Sequence, residues 1–378
     1  MMKRFFTAGA ILIMAFAVNG RVAAFDDPEL QHECTSWMVF SNLTGNNTNI
    51  LHKNRDSVAR KVAVLLSPAE SRRKWIALGT QKTNAGINVS GLAGVMNSGE
   101  PCPDHSKDKT KKSTPALLQE VLSCCDTALQ AVEMLKKMVE AGDYSHGEKG
   151  SIFFFMDTKE GYICEFTPKV FTVQKYECGY AVRANIWQNP GMLIHSRSSI
   201  RRYLDSSARA HSAYDGLNKI LEKYGKISPL NIFELSRHHQ MPEGSTQKRS
   251  LCFKYTNSGN TLEVDRQYPD VLSTGYFTIG HVRNTVYVPI PVCVEKVLPA
   301  MADYSWGDAA FKRLKEQGFT SPLPEAWLKY EKDFMEKYNN AKARARKLLD
   351  AGKRAEAVKL LNDTAYSIWL EAERVLKK

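Results

Sequence analysis

Several common site patterns are missing from the 378-residue sequence, although it contains eight cysteines. No two cysteines have the CxxC spacing of structural zinc sites, and His195, His238 and His239 lack metal-ligand partners at helical or hairpin spacing. There is no GxSxG nucleophile elbow, no Walker phosphate loop and no dinucleotide glycine motif. These absences argue against zinc enzymes, serine α/β-hydrolases, P-loop proteins and Rossmann enzymes. No metal or organic cofactor is expected.

Long apolar runs are also scarce, and the main one lies at the N-terminus. Lys3 and Arg4 precede the apolar residues 5–18, and the small residues 22–24 form a cleavage site. The run is shorter than the roughly 20 residues that span a bilayer. Residues 1–24 are therefore predicted to be a cleaved secretory signal of an exported protein, periplasmic or secreted, with no stable membrane insertion afterwards.

The charge balance is basic, with 52 lysines and arginines against 40 acidic residues and a net charge of +12. The basic residues are spread along the chain and become denser mainly near the C-terminus. This distribution predicts a solvated basic surface, and no nucleic-acid partner is expected. The sequence leaves homo-oligomerisation and disulfide pairing open.

Short runs rich in valine, isoleucine and aromatic residues, separated by turns, predict two sets of strands. The first set covers residues 34–97 and includes one strand over 87–96. The second set covers residues 151–186. Further strands are expected at 251–255, 273–279 and 285–290.

Apolar residues at helical spacing separate the two strand sets. Helices are expected from Thr114 to about Gly142, after Ser198, over 214–224 and over 229–239. Strand sets separated by helices predict an α+β fold, a four-layer αββα sandwich, over residues 34–323. Residues 324–378 are lysine-rich and amphipathic with a break at Gly352, which predicts a C-terminal helical hairpin packed on that domain.

The best candidate for chemistry is the Cys-Thr-Ser segment that begins at Cys34, followed by a β-run and a Lys-Asn-Arg-Asp segment that ends at Asp56. A cysteine at the first position of a chain carries a strongly nucleophilic thiol. It also carries an α-amine with a pKa of about 7.7 to 8, which serves as the base. Residues 25–33 form a short predicted propeptide, and its removal at the bond between Glu33 and Cys34 creates that amine.

This opening resembles the N-terminal-nucleophile (Ntn) hydrolases of the choloylglycine hydrolase, penicillin V acylase and acid ceramidase group, and the related acyl-coenzyme A:penicillin acyltransferases. In that group a Cys-Thr start is followed by Arg-Asn-x-Asp, and the resemblance extends over about residues 34–202. It implies that Cys34 is the nucleophile and that Asp56 accepts hydrogen bonds from its amine. The arginine of the pattern falls on Lys53, which keeps the charge but loses the planar fork, with Arg55 as an alternative.

The same resemblance assigns three further site residues. Asn97, which closes a glycine-rich strand, and Asn185, which follows an apolar strand, are implied as oxyanion donors. A Ser-x-x-Arg helix start implies an arginine near the nucleophile. Both Arg201 and Arg202 fit that spacing, and Arg202 is preferred.

These residues predict an exported hydrolase of linear amides that forms a thioester on Cys34. Its expected partner is a small-molecule acyl amide or a short peptide. An acyltransferase that uses the same thioester is one alternative, because an amine can replace water in the second step. A secreted binding protein without turnover is the other, suggested by Lys53 and the C-terminal helices.

Overall fold

The computed structural model describes residues 33–102, 110–145, 148–239, 250–318 and 325–377. The predicted signal and all of the predicted propeptide except Glu33 therefore lie outside the described residues. No helix in the described ranges combines the length and the apolar character needed to cross a bilayer. The fold is mixed α and β, with two large antiparallel sheets.

The first large sheet has six strands, and each neighbouring pair is antiparallel. In spatial order the strands are β12 (Tyr180–Arg183), β1 (Cys34–Val39), β2 (Thr48–Asp56), β13 (Thr256–Asp265), β14 (Thr274–Phe277) and β15 (Val288–Pro291). Every residue of β1 is buried, so other elements cover both faces of the sheet at this strand.

The second large sheet has seven strands and is also antiparallel. In spatial order they are β11 (Phe171–Tyr176), β10 (Gly161–Phe166), β9 (Lys149–Met156), β6 (Ala93–Pro101), β5 (Thr83–Asn88), β4 (Trp75–Gly79) and β3 (Ala63–Leu66). A small parallel pair joins β7 (Lys112–Ser113) to β8 (Tyr144–Ser145).

The helices are α1 (Ser41–Thr44), α2 (Thr114–Cys124), α3 (Ala128–Glu140), α4 (Pro190–Leu193), α5 (Ile200–Tyr224), α6 (Pro229–Ser236), α7 (Pro269–Leu272), α8 (Pro299–Ala302), α9 (Ser305–Gln317), α10 (Glu325–Asp350) and α11 (Arg354–Lys377). Helices α2 and α3 contact the seven-stranded sheet, and α5 and α6 contact the six-stranded sheet. Side chains alternate along β9 as a strand requires. Phe153 and Phe155 join the core beneath α2 and α3, whereas Ile152 and Phe154 join the core that also contains Met38 of β1.

The single helix predicted from Thr114 to Gly142 is wrong, because the chain leaves the helical conformation after Cys124. Cys125 is extended, and the side chain of Asn88 donates to the carbonyl of Cys125 at 2.8 Å. Thr127 then caps a new helix by accepting a hydrogen bond from the Gln130 amide. The Asn88 side chain therefore stabilises the helix break from a neighbouring strand.

Two predicted strands are also wrong. The single strand expected over 87–96 is interrupted at residues 89–92 by a turn between β5 and β6, where Gly91 has a φ of 81° and an added Cβ would lie 2.7 Å from Pro269. Residues 251–255, where a strand is expected, form no strand in the structure, and β13 begins directly after them. Strand β13 is rich in serine, threonine and asparagine yet completely buried. Its composition therefore hid a central strand.

The C-terminal helices α10 and α11 are antiparallel neighbours joined by a turn at Gly352, which has a φ of 73°. Both helices also contact β15. Trp369 of α11 is buried in the core beneath this sheet and donates to the Pro289 carbonyl at 2.8 Å. Glu331 of α10 forms two 2.6 Å hydrogen bonds with Arg237, which follows α6. The division of the chain at residue 324 stays a prediction.

Loss of one partner from the ion pair between Arg237 and Glu331 should be strongly destabilising, because both side chains are almost fully buried. We expect Glu331→Gln to lower the free energy of unfolding by about 3 to 5 kcal/mol, since Arg237 keeps its charge without a counterion. The measurement is denaturant unfolding followed by circular dichroism. Glu371→Gln removes the exposed partner of Lys337 and is the matched control, with an expected change within about 0.5 kcal/mol. Equal stability of the two variants would contradict this prediction.

Candidate active site

Cys34 lies at the start of β1, where three strands meet. Cys34 pairs with Arg55 of β2. On its other edge β1 pairs with β12, where Ser36 lies opposite Arg183. Continuing that antiparallel register by two residues places Asn185 opposite Cys34. Cys34 and Asn185 belong to separate sequence motifs, and strand pairing brings them together.

The Cys34 side chain is 7% exposed and lines a cavity of about 180 Å³. The other lining residues are Lys53, Arg55, Asp56, Ser57, Asn84, Met96, Ser98 and Pro115. Three predicted site residues, Cys34, Lys53 and Asp56, therefore share one cavity wall. The cavity is large enough for the reacting part of a small substrate but smaller than most complete ligand sites.

Lys53 is completely buried between the two large sheets. Its ammonium donates to the Met96 carbonyl and, at 2.9 Å, to Asn97 Oδ1, and its side chain lines the same cavity as Cys34. Burial lowers the pKa of Lys53 below the ordinary lysine value, while the Cys34 sulfur favours the charged form. An ammonium at this position stabilises a thiolate, which is the nucleophilic form of cysteine.

Asn97 joins the two sheets behind Cys34. Its Oδ1 accepts hydrogen bonds from Ser36 Oγ at 2.8 Å and from Lys53 Nζ. Its Nδ2 donates to the carbonyls of Arg183 and Ala184 at 3.4 and 3.2 Å. The amide oxygen thus holds the ammonium of Lys53 beside the cavity that Cys34 also lines. The oxyanion role stays a prediction, because the Nδ2 group donates to backbone in this state.

Asn185 holds the backbone of Cys34. Its Oδ1 accepts from the Cys34 nitrogen at 2.7 Å, and its Nδ2 donates to the Ser98 carbonyl at 2.7 Å. Asn185 thus accepts the hydrogen bond of the Cys34 nitrogen, which is the group that Asp56 is predicted to bind. Its oxyanion role stays a prediction.

Two buried carboxylates hold the segment that follows Asn185. Glu165 is paired with Arg183 at 2.8 Å and accepts hydrogen bonds from the Gln188 and Asn189 amides. Glu100 accepts hydrogen bonds from the amides of Trp187, Arg197 and Ser198. Fixed backbone donors of this kind restrict the position of Asn185.

Asp56 is buried at the end of β2. Its Oδ1 accepts from Thr256 Oγ1 at 2.6 Å, and its backbone amide donates to the Glu33 carbonyl at 2.7 Å. The pairing of β2 with β13 shifts between Thr256 and Ser258, directly beside Asp56. The extra residue, Asn257, lies in β13. Lys53, Arg55 and Asp56 all line the cavity.

Helix α5 brings two arginines to the start of β1. Arg202 is fully buried, whereas Arg201 is exposed. Arg202 donates to Glu33 Oε1 at 3.0 Å and to the Gly99 carbonyl at 2.8 Å. The structure thus places Arg202, and not Arg201, against Glu33, the residue before Cys34. Arg209 is the closer group, because Nη1 donates to the Cys34 carbonyl at 2.6 Å and Nη2 to Asn185 Oδ1 at 3.1 Å.

Arg209, Asp205 and the side chain of Glu33 are functional-site candidates that the sequence did not predict. Asp205 binds Arg209 Nε at 3.0 Å, and Glu33 Oε2 lies 3.1 Å from Arg209 Nη2. One signal was present, since positions 202, 205 and 209 share one face of a helix. Nothing in the sequence indicates that this face meets β1.

The other cysteines differ in setting from Cys34. None of the eight cysteines forms a disulfide, and all eight lie in the described ranges. Burial raises the pKa of Cys125 and Cys293 to about 11 and that of Cys252 to about 12, so these groups stay protonated thiols. In the described part of the chain, no group of three or more histidine, cysteine and acidic residues could hold a metal ion.

No protein-family model matches the chain, and no curated protein matches it. Solved structures that match include penicillin V acylase from Agrobacterium tumefaciens, with a TM-score of 0.47 and 16% identity over 68% of this chain and 86% of that chain. Two variants of conjugated bile acid hydrolase from Clostridium perfringens also match, each with a TM-score of 0.47 over 70% of this chain and 95% of that chain, at 12% and 11% identity. Similarity of this extent assigns neither family nor activity.

Proposed function

We propose that this chain is an exported hydrolase of linear amide bonds in which Cys34 becomes the first residue and the nucleophile. The observation that carries the proposal is the placement of the two reactive groups of Cys34. Its nitrogen donates to Asn185, and its side chain lines a cavity together with the buried Lys53, whose charged form the Cys34 sulfur favours. A structural cysteine needs neither partner. The export step rests on residues 1–24.

The first step of the proposed pathway is cleavage between Glu33 and Cys34. The Cys34 sulfur forms a bond to the Glu33 carbonyl carbon, the C–N bond breaks, and a proton passes to the new α-amine. Water then hydrolyses the thioester and releases a peptide that ends at Glu33. The Asp56 amide donates to the Glu33 carbonyl oxygen at 2.7 Å, which suits it to stabilise negative charge on that oxygen.

The mature enzyme repeats this chemistry on a substrate amide. The thiolate beside Lys53 attacks the carbonyl carbon, the α-amine of Cys34 exchanges protons with the nucleophile and the leaving amine, and water hydrolyses the thioester. The Asp56 amide is our main candidate for the oxyanion donor. Asn97 and Asn185 complete that role if their amide groups turn toward the cavity after cleavage.

The four-layer αββα arrangement of the Ntn hydrolases is part of this proposal. Two helices pack on the outer face of each large sheet, and apolar side chains from both sheets share one core between them. In this arrangement β1 is an inner strand, and its first residue faces the gap between the sheets. That placement supports a nucleophile at the start of the strand.

The deciding experiment combines intact-mass analysis of the exported protein with an acyl-amide screen. We expect a mature chain that begins at Cys34 and an acyl group on the peptide containing Cys34 during turnover. Cys178, which is exposed, provides the control variant Cys178→Ala, which should mature and turn over normally. A mature chain that begins at residue 25, with Cys34 unreactive toward iodoacetamide, would favour a binding protein instead.

A further inference from the structure

The side chain of Glu33 occupies a closed cationic pocket, although Glu33 belongs to the segment that the proposed maturation removes. The residue is completely buried. Its Oε1 lies 3.0 Å from Arg202 Nε and 3.6 Å from Lys149 Nζ, and its Oε2 lies 3.1 Å from Arg209 Nη2. Ser206 Oγ is also 3.5 Å from Oε2. Three cations and a hydroxyl therefore surround one carboxylate.

Loss of Glu33 leaves this pocket with an excess of positive charge. Asp205 compensates Arg209 through Nε at 3.0 Å, but Arg202 has Glu33 as its carboxylate partner. Arg202 Nη1 is buried and has no hydrogen-bond partner among the described residues, so the guanidinium has a donor left over. Buried cations without a counterion are costly, and the pocket should therefore take up another anion.

The position of this pocket relative to the reacting carbon identifies the anion. Maturation forms a thioester between the Glu33 carbonyl and Cys34, and turnover forms a thioester between a substrate acyl group and the same sulfur. The carbonyl carbons of the two acyl groups are thus bonded to the same atom, the Cys34 sulfur. In Glu33 the carboxylate carbon is the fifth carbon when the carbonyl carbon is counted as the first.

We propose that the mature enzyme prefers acyl groups that carry a carboxylate at this fifth carbon, namely glutaryl amides and α-glutamyl peptides. The carboxylate binds Arg202, Arg209 and Lys149 in place of Glu33. The pocket rests on the proposed function, because only cleavage after Glu33 makes it available. Charge-assisted hydrogen bonds to guanidinium groups supply the selectivity over an uncharged chain of the same length.

The test compares hydrolysis of glutaryl-p-nitroanilide and pentanoyl-p-nitroanilide by the mature protein. We expect kcat/KM to favour the glutaryl amide by about 100-fold, and succinyl-p-nitroanilide, one carbon shorter, to be a poorer substrate. Lys149→Met should reduce the glutaryl preference by about tenfold. Lys219→Met, which removes an exposed lysine from the opposite end of α5, is the matched control and should keep the preference.

A second measurement does not depend on turnover. Glutarate should protect Cys34 from alkylation by iodoacetamide at concentrations at which pentanoate gives no protection. Equal hydrolysis of the two amides, or equal protection by the two acids, would contradict the carboxylate preference of the pocket without contradicting the proposed function. A chain that stays intact between Glu33 and Cys34 contradicts the proposed function and, with it, the pocket.

Discussion

Replacing Cys34 with alanine should abolish amide hydrolysis and leave the bond between Glu33 and Cys34 intact. Both reactions need the sulfur atom, because the same thiolate attacks the Glu33 carbonyl and the substrate carbonyl. We expect kcat/KM to fall by about 10⁴-fold or more, as when other nucleophiles are removed. Intact mass reports processing, and release of nitroaniline from an acyl nitroanilide reports hydrolysis.

The fold should survive this substitution. Cys34 is small and lies beside a cavity, so its truncation should cost only about 1 kcal/mol of stability. Cys125→Ala is a matched control, because Cys125 is equally well buried and lies away from the cavity. Normal maturation of the Cys34→Ala protein would assign the cleavage to a separate protease. Unchanged amide hydrolysis would exclude Cys34 as the nucleophile.

Replacing Lys53 with methionine should produce the second-largest loss. The substitution keeps most of the side-chain length but removes the ammonium that donates to Met96 and Asn97 and that interacts electrostatically with Cys34. We expect formation of the acyl-enzyme to slow by about 10²- to 10³-fold, because the thiolate loses a buried positive charge beside the cavity. Single-turnover kinetics measure that step, and circular dichroism verifies that the variant is folded.

Lys53→Arg separates the charge of Lys53 from its titration. Burial lowers the pKa of Lys53 from the ordinary 10.5. As the pH rises, Lys53 should therefore lose its proton before pH 10.5 is reached, and the activity should fall with it. A guanidinium keeps its proton in this range. The arginine variant should therefore lose this alkaline decline and recover part of the rate lost in Lys53→Met. Equal alkaline profiles for wild type and Lys53→Arg would show that another group titrates.

Local chemistry was readable from the sequence at Cys34, Lys53 and Asp56, because their segments are contiguous and their residue types are characteristic. The strand that carries Cys34 was also predicted, since valine and aromatic residues favour strands, whereas the strand that carries Lys53 and Asp56 was predicted only as far as His52. Strand β13 was missed because its polar composition is untypical of a central strand, and neighbours from other segments form hydrogen bonds with several of its side chains. Asn260, for example, donates to the Lys53 carbonyl, and Thr261 Oγ1 lies 2.8 Å from His52 Nδ1.

The sequence by itself determined which residue types are available, namely one cysteine close behind a predicted signal segment and the charged residues that follow it. Only the tertiary structure decided which groups surround that thiol. Strand register placed Asn185 opposite Cys34, and the packing of α5 on β1 brought Arg209 to its carbonyl and to Glu33. Reactivity is a property of single residues, whereas orientation and charge compensation require distant segments to meet.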